Sequence, residues 1–267
     1  MNAIAPLAFA APSEVTDSVV AVRNVSKLYP GGVQALENVS VDFPRGQLTS
    51  LLGPSGCGKT TLLKIIAGLL PATSGEVLVN GKPVAGPGPE RAFVFQDFAL
   101  MPWATVLRNV AFGLELRGTP KADREEISRK YITQVGLAGF EERYPHELSG
   151  GMRQRVGLAR ALSVDADVLM MDEPFSAVDE QNRRKFQEDL LTLVANEKKT
   201  FIFVTHSIEE AVYVSDRIVL LSPRPGRIAE IIEPDINRDG DADAIRRHPV
   251  YLDTVDAIWQ SLKTYLD

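Results

Sequence analysis

A glycine-rich loop between an apolar run and a helical run constrains this chain more than any other feature. Its sequence is Gly53-Pro-Ser-Gly-Cys-Gly-Lys-Thr60, and it lies between Leu48–Leu52 and the helical pattern Leu62–Leu70. The pattern G-x-x-x-x-G-K-[ST] between a strand and a helix is typical of a phosphate-binding loop. The glycines let backbone N–H groups point at phosphate oxygens, and the helix adds the positive end of its dipole. The loop therefore predicts an α/β fold with a phosphate site.

The residues at the end of the loop are suited to phosphate and metal chemistry. Lys59 supplies a point charge to the β- and γ-phosphates, and the Thr60 hydroxyl is placed to ligate Mg²⁺. Thr61 comes next on the helix and is expected to reach the α-phosphate. Cys57 is interpreted as a small filler of the loop. The candidate phosphate-site residues are Gly53, Pro54, Ser55, Gly56, Cys57, Gly58, Lys59, Thr60 and Thr61.

An acidic pair follows a second apolar run. Val168-Leu-Met-Met171 is typical of a buried strand and is followed by Asp172 and Glu173. Such side chains lie at the carboxyl edge of a sheet, where α/β folds bind ligands. We expect Asp172 to hold Mg²⁺ through water and Glu173 to act as the general base on the attacking water. An acidic pair by itself is more often a solvated turn, and the phosphate loop favours the functional interpretation.

Short β-rich runs alternate with longer helical patterns from Val19 onward, which predicts an α/β layer architecture. Helices dominate between Gln96 and Leu148, so we expect a helical subdomain inserted into a mostly parallel sheet domain. The predicted helices follow Lys59, span Lys121–Val135, begin at Gly150 and span Glu180–Asn196. The predicted strands are Val19–Val25, Val39–Phe43, Gln47–Leu52, Glu76–Val79, Ala92–Gln96, Val168–Asp172, Thr200–Thr205 and Arg217–Leu221.

Composition excludes several classes of function. The 267 residues carry a net charge of −6, which argues against a sequence-independent grip on nucleic acid, and we expect no nucleic-acid partner. The single cysteine, Cys57, forms no intrachain disulfide and fits a reducing compartment. No stretch approaches the roughly 20 apolar residues that span a bilayer, so we expect the chain not to cross a membrane by itself.

The two ends of the chain differ from its centre. Residues 1–18 are rich in alanine, are broken by Pro6 and Pro12, and are interpreted as a disordered extension. Residues 236–267 form a tail in which apolar residues recur at three- and four-residue steps, typical of one helix face. We expect this face to pack against the chain's own sheet domain. Its members are Tyr251, Leu252, Val255, Ile258, Trp259, Leu262, Tyr265 and Leu266.

One further motif points to a family. Leu148-Ser-Gly-Gly-Met-Arg-Gln-Arg155 resembles the signature motif of ATP-binding cassette (ABC) ATPases, and it lies between the phosphate loop and Asp172-Glu173-Pro174. The resemblance implies a P-loop NTPase fold over residues 19–235, with an antiparallel β subdomain and a helical signature subdomain at about 97–165. It also implies that the chain binds ATP and Mg²⁺ and hydrolyses ATP.

The resemblance assigns further residues one by one. Tyr29 is similar to the aromatic residue that stacks on adenine, although a core tyrosine is the alternative. Gln96 resembles the family glutamine that touches Mg²⁺ and the attacking water and senses the membrane partner. His206 matches the histidine that contacts the γ-phosphate. Asp179 belongs to a loop that crosses to the other subunit, with Val178 where leucine is commoner.

The resemblance also implies a head-to-tail homodimer. In it, the signature residues of one subunit close over the γ-phosphate held by Lys59 of the other. A Ser-Gly-Gly turn at a helix start suits this role because it exposes N–H donors to an anion. The signature residues expected to act across the dimer are Ser149, Gly150, Gly151 and Gln154.

Proline-rich segments narrow the resemblance to the nitrate/sulfonate/taurine branch of ABC importers. They are Gly86–Arg91, Met101–Trp103, Ser222–Ile228 and His248–Tyr251. The resemblance implies two transmembrane permease subunits, a periplasmic or lipid-anchored solute-binding protein, and a position on the cytoplasmic face of the inner membrane. The apolar segment Phe98–Trp103 is either a docking site for a cytoplasmic helix of the permease or buried in its own subdomain.

Four other functions stay open as alternatives. A small-molecule kinase also uses a phosphate loop, but the signature motif, Glu173 and His206 argue against one. An ABC ATPase without a permease usually carries long coiled-coil insertions or two fused cassettes, and this chain has neither. An ATP-gated binding module is opposed by the intact Lys59, Glu173 and His206. An importer subunit for a different small solute is the remaining alternative.

Overall fold

A computed structural model describes residues 17–176, 178, 180–238 and 240–265, with the side chains of 180 and 181 left out. The chain divides into two compact units. The second unit is Gly88–Lys199, and the first consists of the flanking segments, up to Pro87 and from Thr200. The helical subdomain expected at about 97–165 lies within the second unit, and the C-terminal tail lies within the first.

Ten strands occur in the part of the chain that the structure describes. They are β1 (Ser18–Tyr29), β2 (Val33–Pro44), β3 (Leu48–Leu52), β4 (Ser74–Val79), β5 (Lys82–Pro83), β6 (Arg91–Val94), β7 (Val168–Asp172), β8 (Thr200–Val204), β9 (Arg217–Leu221) and β10 (Ile228–Ile232). The eight predicted strands are all present, whereas β5 and β10 were not predicted.

Eight α-helices connect or flank these strands in the described residues. They are α1 (Lys59–Ile66), α2 (Val106–Leu116), α3 (Lys121–Gln134), α4 (Gly150–Ser163), α5 (Glu180–Asn196), α6 (Ile208–Val214), α7 (Ala242–Arg247) and α8 (Pro249–Lys263). No helix of the described segments is long and apolar enough to cross a membrane.

The first unit contains two kinds of sheet. An antiparallel sheet has the order β2-β1-β4-β5. Next to it, β3 pairs in parallel with both β8 and β9, and β10 adds an antiparallel edge beyond β9. All residues of β3, β8 and β9 are buried, as expected for parallel strands covered on both faces. The phosphate loop begins where β3 ends, at the carboxyl edge of these strands.

The second unit pairs β6 with β7 in parallel and packs α2, α3 and α4 together. Thr105 caps α2, since its hydroxyl accepts from the backbone N–H of Arg108 at 3.3 Å. Every residue of β7 is buried, so the run Val168–Asp172 delivers the acidic pair at the end of a rigid strand.

The tail packs only in part as the spacing of its apolar residues predicts. Helix α8 contacts α6, and the Tyr251 hydroxyl donates to the carbonyl of Glu209 at 3.1 Å. Tyr251, Ile258 and Leu262 are buried, whereas Leu252 and Trp259 are exposed. The apolar face is therefore only partly covered by the unit to which it belongs.

Candidate active site

The phosphate loop ends at a helix start that is open to an anion. Gly58 precedes α1 with a φ of 104°, and no side chain caps the helix there. A Cβ at Gly58 would lie 2.8 Å from the carbonyl oxygen of Ala35, so only glycine fits this turn. The first turn of α1 contains no acidic residue. The uncapped N–H groups and the helix dipole therefore favour a bound anion.

The ammonium of Lys59 lies folded over the loop. Lys59 is buried, and its Nζ donates to the carbonyl oxygens of Gly53 at 2.7 Å and Pro54 at 2.9 Å. A phosphate that enters the loop would compete with these carbonyls for the same charge. The loop thus holds its cation in place by hydrogen bonds that a charged ligand can replace.

The thiol of Cys57 is part of the same loop. Cys57 is buried, with its Sγ 3.8 Å from Nζ of Lys59. Burial raises the pKa of the thiol, and the nearby Lys59 charge opposes this only in part. The thiol is therefore protonated at neutral pH, as an inert small side chain would be.

A turn far along the chain supports the loop from behind. The Gly226 N–H donates to Ala35 at 2.9 Å, and the Gly226 carbonyl accepts from Glu37 at 3.0 Å. A Cβ at Gly226 would lie 2.0 Å from the carbonyl oxygen of Cys57. The backbone of this turn therefore contacts the phosphate loop. The sequence of the proline-rich segment Ser222–Ile228 did not indicate this supporting role.

Tyr29 presents a partly exposed ring beside the loop. Its hydroxyl and the Thr61 hydroxyl are 3.2 Å apart, and the Lys27 ammonium lies 5.5 Å from the ring centroid. Lys27 is itself buried and donates to the carbonyl of Pro71 at 2.6 Å. The contact of the hydroxyl with Thr61 and the nearby Lys27 ammonium therefore orient the ring. A ring held in this way is suited to stack on a base.

His206 lies on a turn that follows β8. The N–H of Thr205 donates to the carbonyl of Leu51 at 3.2 Å, two residues before the phosphate loop begins. His206 is exposed, whereas Thr205 is buried. The pairing of β3 with β8 therefore places this histidine at the same sheet edge as the loop.

The acidic pair belongs to the second unit. Asp172 ends β7 and is buried, and Glu173 follows in the left-handed region with a φ of 50°. Non-glycine residues rarely adopt this conformation, and they concentrate at functional sites. The Gln96 side chain donates from Nε2 to Oε2 of Glu173 at 3.4 Å. The fold therefore brings these two predicted site residues together.

The strand that precedes Gln96 ends earlier than predicted. The strand was expected to reach Gln96, but β6 ends at Val94 because the chain turns there. Phe98 and Ala99 are left-handed, with φ of 63° and 43°. The Arg160 guanidinium donates to both of their carbonyls, at 2.7 Å and 2.8 Å. Arg160 is a supporting residue that no local sequence pattern indicated, and burial lowers its pKa.

The signature motif opens α4. The Ser149 hydroxyl accepts from the N–H of Met152 at 3.3 Å and caps the helix, and Ser149 is exposed. Gly150 and Gly151 are partly exposed. Gln154 differs, since it is only 2% exposed and faces the interior of the unit. A buried side chain cannot reach another subunit, so the contact that we expected Gln154 to make across a dimer does not fit its position in α4.

Similarity to known proteins defines the family. The ABC transporter family model matches residues 36–176. An ABC transporter ATP-binding protein of Methanocaldococcus jannaschii is 53% identical, over 84% of this chain and 85% of the relative. The chain belongs to the ABC transporter family. Another relative of this ABC ATPase, the taurine import ATP-binding protein TauB of Chromobacterium violaceum, is 50% identical over 85% of this chain and 89% of its own length.

Solved structures of the family share the fold. CbiO1 of Clostridium perfringens, part of an ABC transporter complex, has a TM-score of 0.74 and 26% identity, over 82% of this chain and 89% of its own. A dimeric ATP-binding cassette in a post-hydrolysis state, bound to ADP and Pi, has a TM-score of 0.70 and 30% identity, over 83% and 100%. The expected α/β P-loop NTPase fold is confirmed, and this ABC ATPase binds and hydrolyses ATP.

The apolar segment Phe98–Trp103 of this ABC ATPase is buried at its start and exposed at its end. Phe98 is buried, with its Cβ 3.9 Å from where a Cβ of Gly157 would lie, so the start of the segment Phe98–Trp103 packs within its own unit. The end of the segment does not, since Trp103 is 75% exposed. Asp179 lies outside the described residues.

Proposed function

We propose that this ABC ATPase is the energy-coupling subunit of an importer for taurine or a similar small anionic solute. The observation that carries this proposal is the 50% identity to a taurine import ATP-binding protein along most of both chains. Other relatives with the same description are 46% identical over 87% and 89% of this chain. Nitrate and aliphatic sulfonates belong to the same proposed class of solutes.

In this proposal the first unit grips the nucleotide. The loop from Gly53 to Gly58 turns its N–H groups to the phosphates, and Lys59 gives up its loop carbonyls to bind the β- and γ-phosphates. Thr61 reaches the α-phosphate, and the Tyr29 ring stacks on adenine. His206 contacts the γ-phosphate. The open helix start and the buried Lys59 ammonium support these roles.

The second unit supplies the groups that act on water. Glu173 is the proposed general base, and Gln96 orients its carboxylate and the attacking water. The bond between their side chains and the left-handed backbone of Glu173 support this pairing.

Mg²⁺ would be held by oxygen donors. The Thr60 hydroxyl, the Gln96 side-chain oxygen and Asp172, through water, are the proposed partners, and hard cations prefer such ligands. Among the described residues no cluster of three or more His, Cys, Asp or Glu side chains could hold a metal alone. This fits a cation bound with substrate phosphates and one carboxylate. When bound, the ion would neutralise charge on the phosphates.

Two copies of the chain are proposed to act together. A similar cassette was solved as a dimer bound to ADP and Pi. Ser149, Gly150 and Gly151 of one copy would close over the γ-phosphate held by the other, and Asp179 would lie in the loop that crosses between them. ATP then joins an isologous interface, and hydrolysis releases it. Gln154 is left out of this contact because it is buried.

The partners in the membrane are proposed from the relatives' import function. Two permease subunits would bind the ATPase at the membrane, on its cytoplasmic face, and a solute-binding protein outside would deliver the solute. Trp103 is the proposed anchor of the permease contact because it is 75% exposed at the end of an apolar segment, and a groove for a partner helix needs large apolar contacts. Substrate selectivity would lie in these partners.

The chain offers a matched test of that contact. Its two tryptophans are Trp103, 75% exposed in the second unit, and Trp259, 51% exposed on α8. A tagged chain is recovered from gently solubilised native membranes, and the proteins bound to it are identified. Trp103→Glu should lose the permease, whereas Trp259→Glu should retain it. Equal recovery of the permease by both variants would contradict the proposed contact.

The same preparation tests the proposed function. We expect a permease to be recovered with the native chain, and cells that lack this ATPase to lose uptake of taurine or an alkanesulfonate. Recovery without any membrane partner would contradict an importer and favour an ABC ATPase that acts without a permease. Loss of uptake of an unrelated solute alone would contradict the proposed solute class.

A further inference from the structure

A buried carboxylate stands directly behind the His206 turn. Glu210 lies in the first turn of α6 and is 8% exposed. The hydroxyl of Thr205, a buried residue, donates to Oε2 of Glu210 at 2.5 Å. Burying an ionised carboxylate is costly unless hydrogen bonds stabilise it. A short bond to a charged acceptor is among the strongest that a hydroxyl makes.

This bond belongs to a network around His206. The Thr205 hydroxyl also accepts from the N–H of Ser207 at 3.0 Å. The Ser207 hydroxyl accepts in turn from the N–H of Glu210 at 3.2 Å and caps α6. The residues on both sides of His206 are thereby tied to Glu210.

The turn that carries His206 is also held at a fixed position relative to the phosphate loop. The Thr205 N–H donates to Leu51 in β3, and β3 leads directly into the loop. On the other side, the Tyr251 hydroxyl donates to the carbonyl of Glu209. The backbone on either side of His206 is therefore fixed on rigid elements, while the imidazole itself is exposed.

We propose that Glu210 is a positioning residue, which acts through Thr205 to hold the His206 imidazole where the γ-phosphate will lie. This rests on the role proposed above for His206. Glu210 itself touches no nucleotide in this scheme. Loss of the bond would let the turn move, so that His206 reaches the phosphate less often, whereas the loop that binds ATP stays intact.

The test compares substitutions on both sides of the bond in the purified full chain. Glu210→Gln removes the charge, and Thr205→Val removes the hydroxyl at nearly the same shape. We expect each to lower kcat about tenfold, the effect of one charge-assisted hydrogen bond, with KM for ATP within about twofold. Thr205→Ser keeps the hydroxyl and should retain most of the turnover.

A double-mutant cycle separates positioning from mere stability. If Glu210 acts through His206, adding Glu210→Gln to His206→Ala should cause no further loss of kcat. An additive loss would overturn the proposal, as would native turnover in both Glu210→Gln and Thr205→Val. Native turnover in His206→Ala alone would instead remove the proposed role of His206, and this inference with it.

A spectroscopic readout completes the test. The chain has only three histidines, so the imidazole signals of His146, His206 and His248 can be followed by NMR. In Thr205→Val we expect the His206 signal to shift or broaden while the other two stay in place. An unchanged His206 signal would show that the bond does not position the ring.

Discussion

The side-chain nitrogen of Gln96 donates to the carboxylate of Glu173 across 3.4 Å, which joins the second residue after β6 to the first residue after β7. Both ends of this contact are set by parallel strands that pair with each other, Val94 opposite Met171. The carboxylate is therefore delivered by a rigid strand end and oriented by a neighbour, as a general base needs to be.

Glu173→Gln should abolish turnover but not ATP binding. The amide is the same size as the carboxylate but cannot take a proton, so we expect kcat to fall by about 10²- to 10⁴-fold. The variant should also accumulate as an ATP-bound dimer on size exclusion. Glu142→Gln, an exposed site in the same unit, is the control. Turnover at the native rate would show that another group activates the water.

Lys59→Ala should weaken nucleotide binding and turnover together. The ammonium of Lys59 is the charge that the phosphate loop presents, and its removal leaves only backbone donors. A loss of about two orders of magnitude or more in kcat/KM is expected, measured by steady-state ATP hydrolysis. Lys64→Ala, on the last turn of the same helix, should change little. An unchanged kcat/KM in Lys59→Ala would contradict the phosphate-site assignment.

Gly226→Ala should disturb the phosphate loop although position 226 lies far from it in sequence. An added Cβ would lie 2.0 Å from the Cys57 carbonyl, so the loop or the turn must shift. Overpacking of this kind costs about 1–3 kcal/mol, visible as a lower melting temperature, and KM for ATP should rise. Gly86→Ala is the matched control, since no atom lies within 4 Å of its added Cβ. Equal behaviour of the two variants would refute the contact.

Cys57 should react slowly with alkylating agents at neutral and mildly alkaline pH. Burial raises the pKa of its thiol, so at pH 8 a smaller fraction is thiolate than in a free cysteine, and labelling should accelerate only as the pH rises further. Because Cys57 is the single cysteine, mass spectrometry of the iodoacetamide adduct reports it directly. The denatured chain is the control and should label fast. Labelling of the native protein at the denatured rate would contradict the buried, protonated thiol.

The strands that build the site were predictable because they are buried throughout. Val168–Asp172 was predicted with the bounds that the structure has, since an uninterrupted apolar run marks a strand covered on both faces. The edge strand Ile228–Ile232 was missed, because four of its five residues are only half-buried and its pattern is weak. The strand before Gln96 was predicted to end two residues too late, since nothing local showed that Phe98 and Ala99 would turn left-handed.

Some of the site residues could likewise be predicted from the sequence, and others could not. Lys59 and Glu173 belong to motifs whose spacing is local, and His206 was indicated by the resemblance to the family. Arg160 and Gly226 act through contacts with carbonyl groups far along the chain, and Glu210 acts through the hydroxyl of Thr205, five residues away. Such contacts leave no periodic or compositional signal, and only the folded chain reveals them.

ATP-driven uptake by the assembled transporter tests the proposed importer function directly. The ATPase and the permease recovered with it would be placed in proteoliposomes with their solute-binding protein, and accumulation of labelled taurine would be followed with and without ATP. We expect ATP-dependent accumulation with the native chain and none above the ATP-free background with Glu173→Gln. Native-level accumulation with Glu173→Gln, or ATP hydrolysis by the native complex that moves no taurine or related anion, would contradict it.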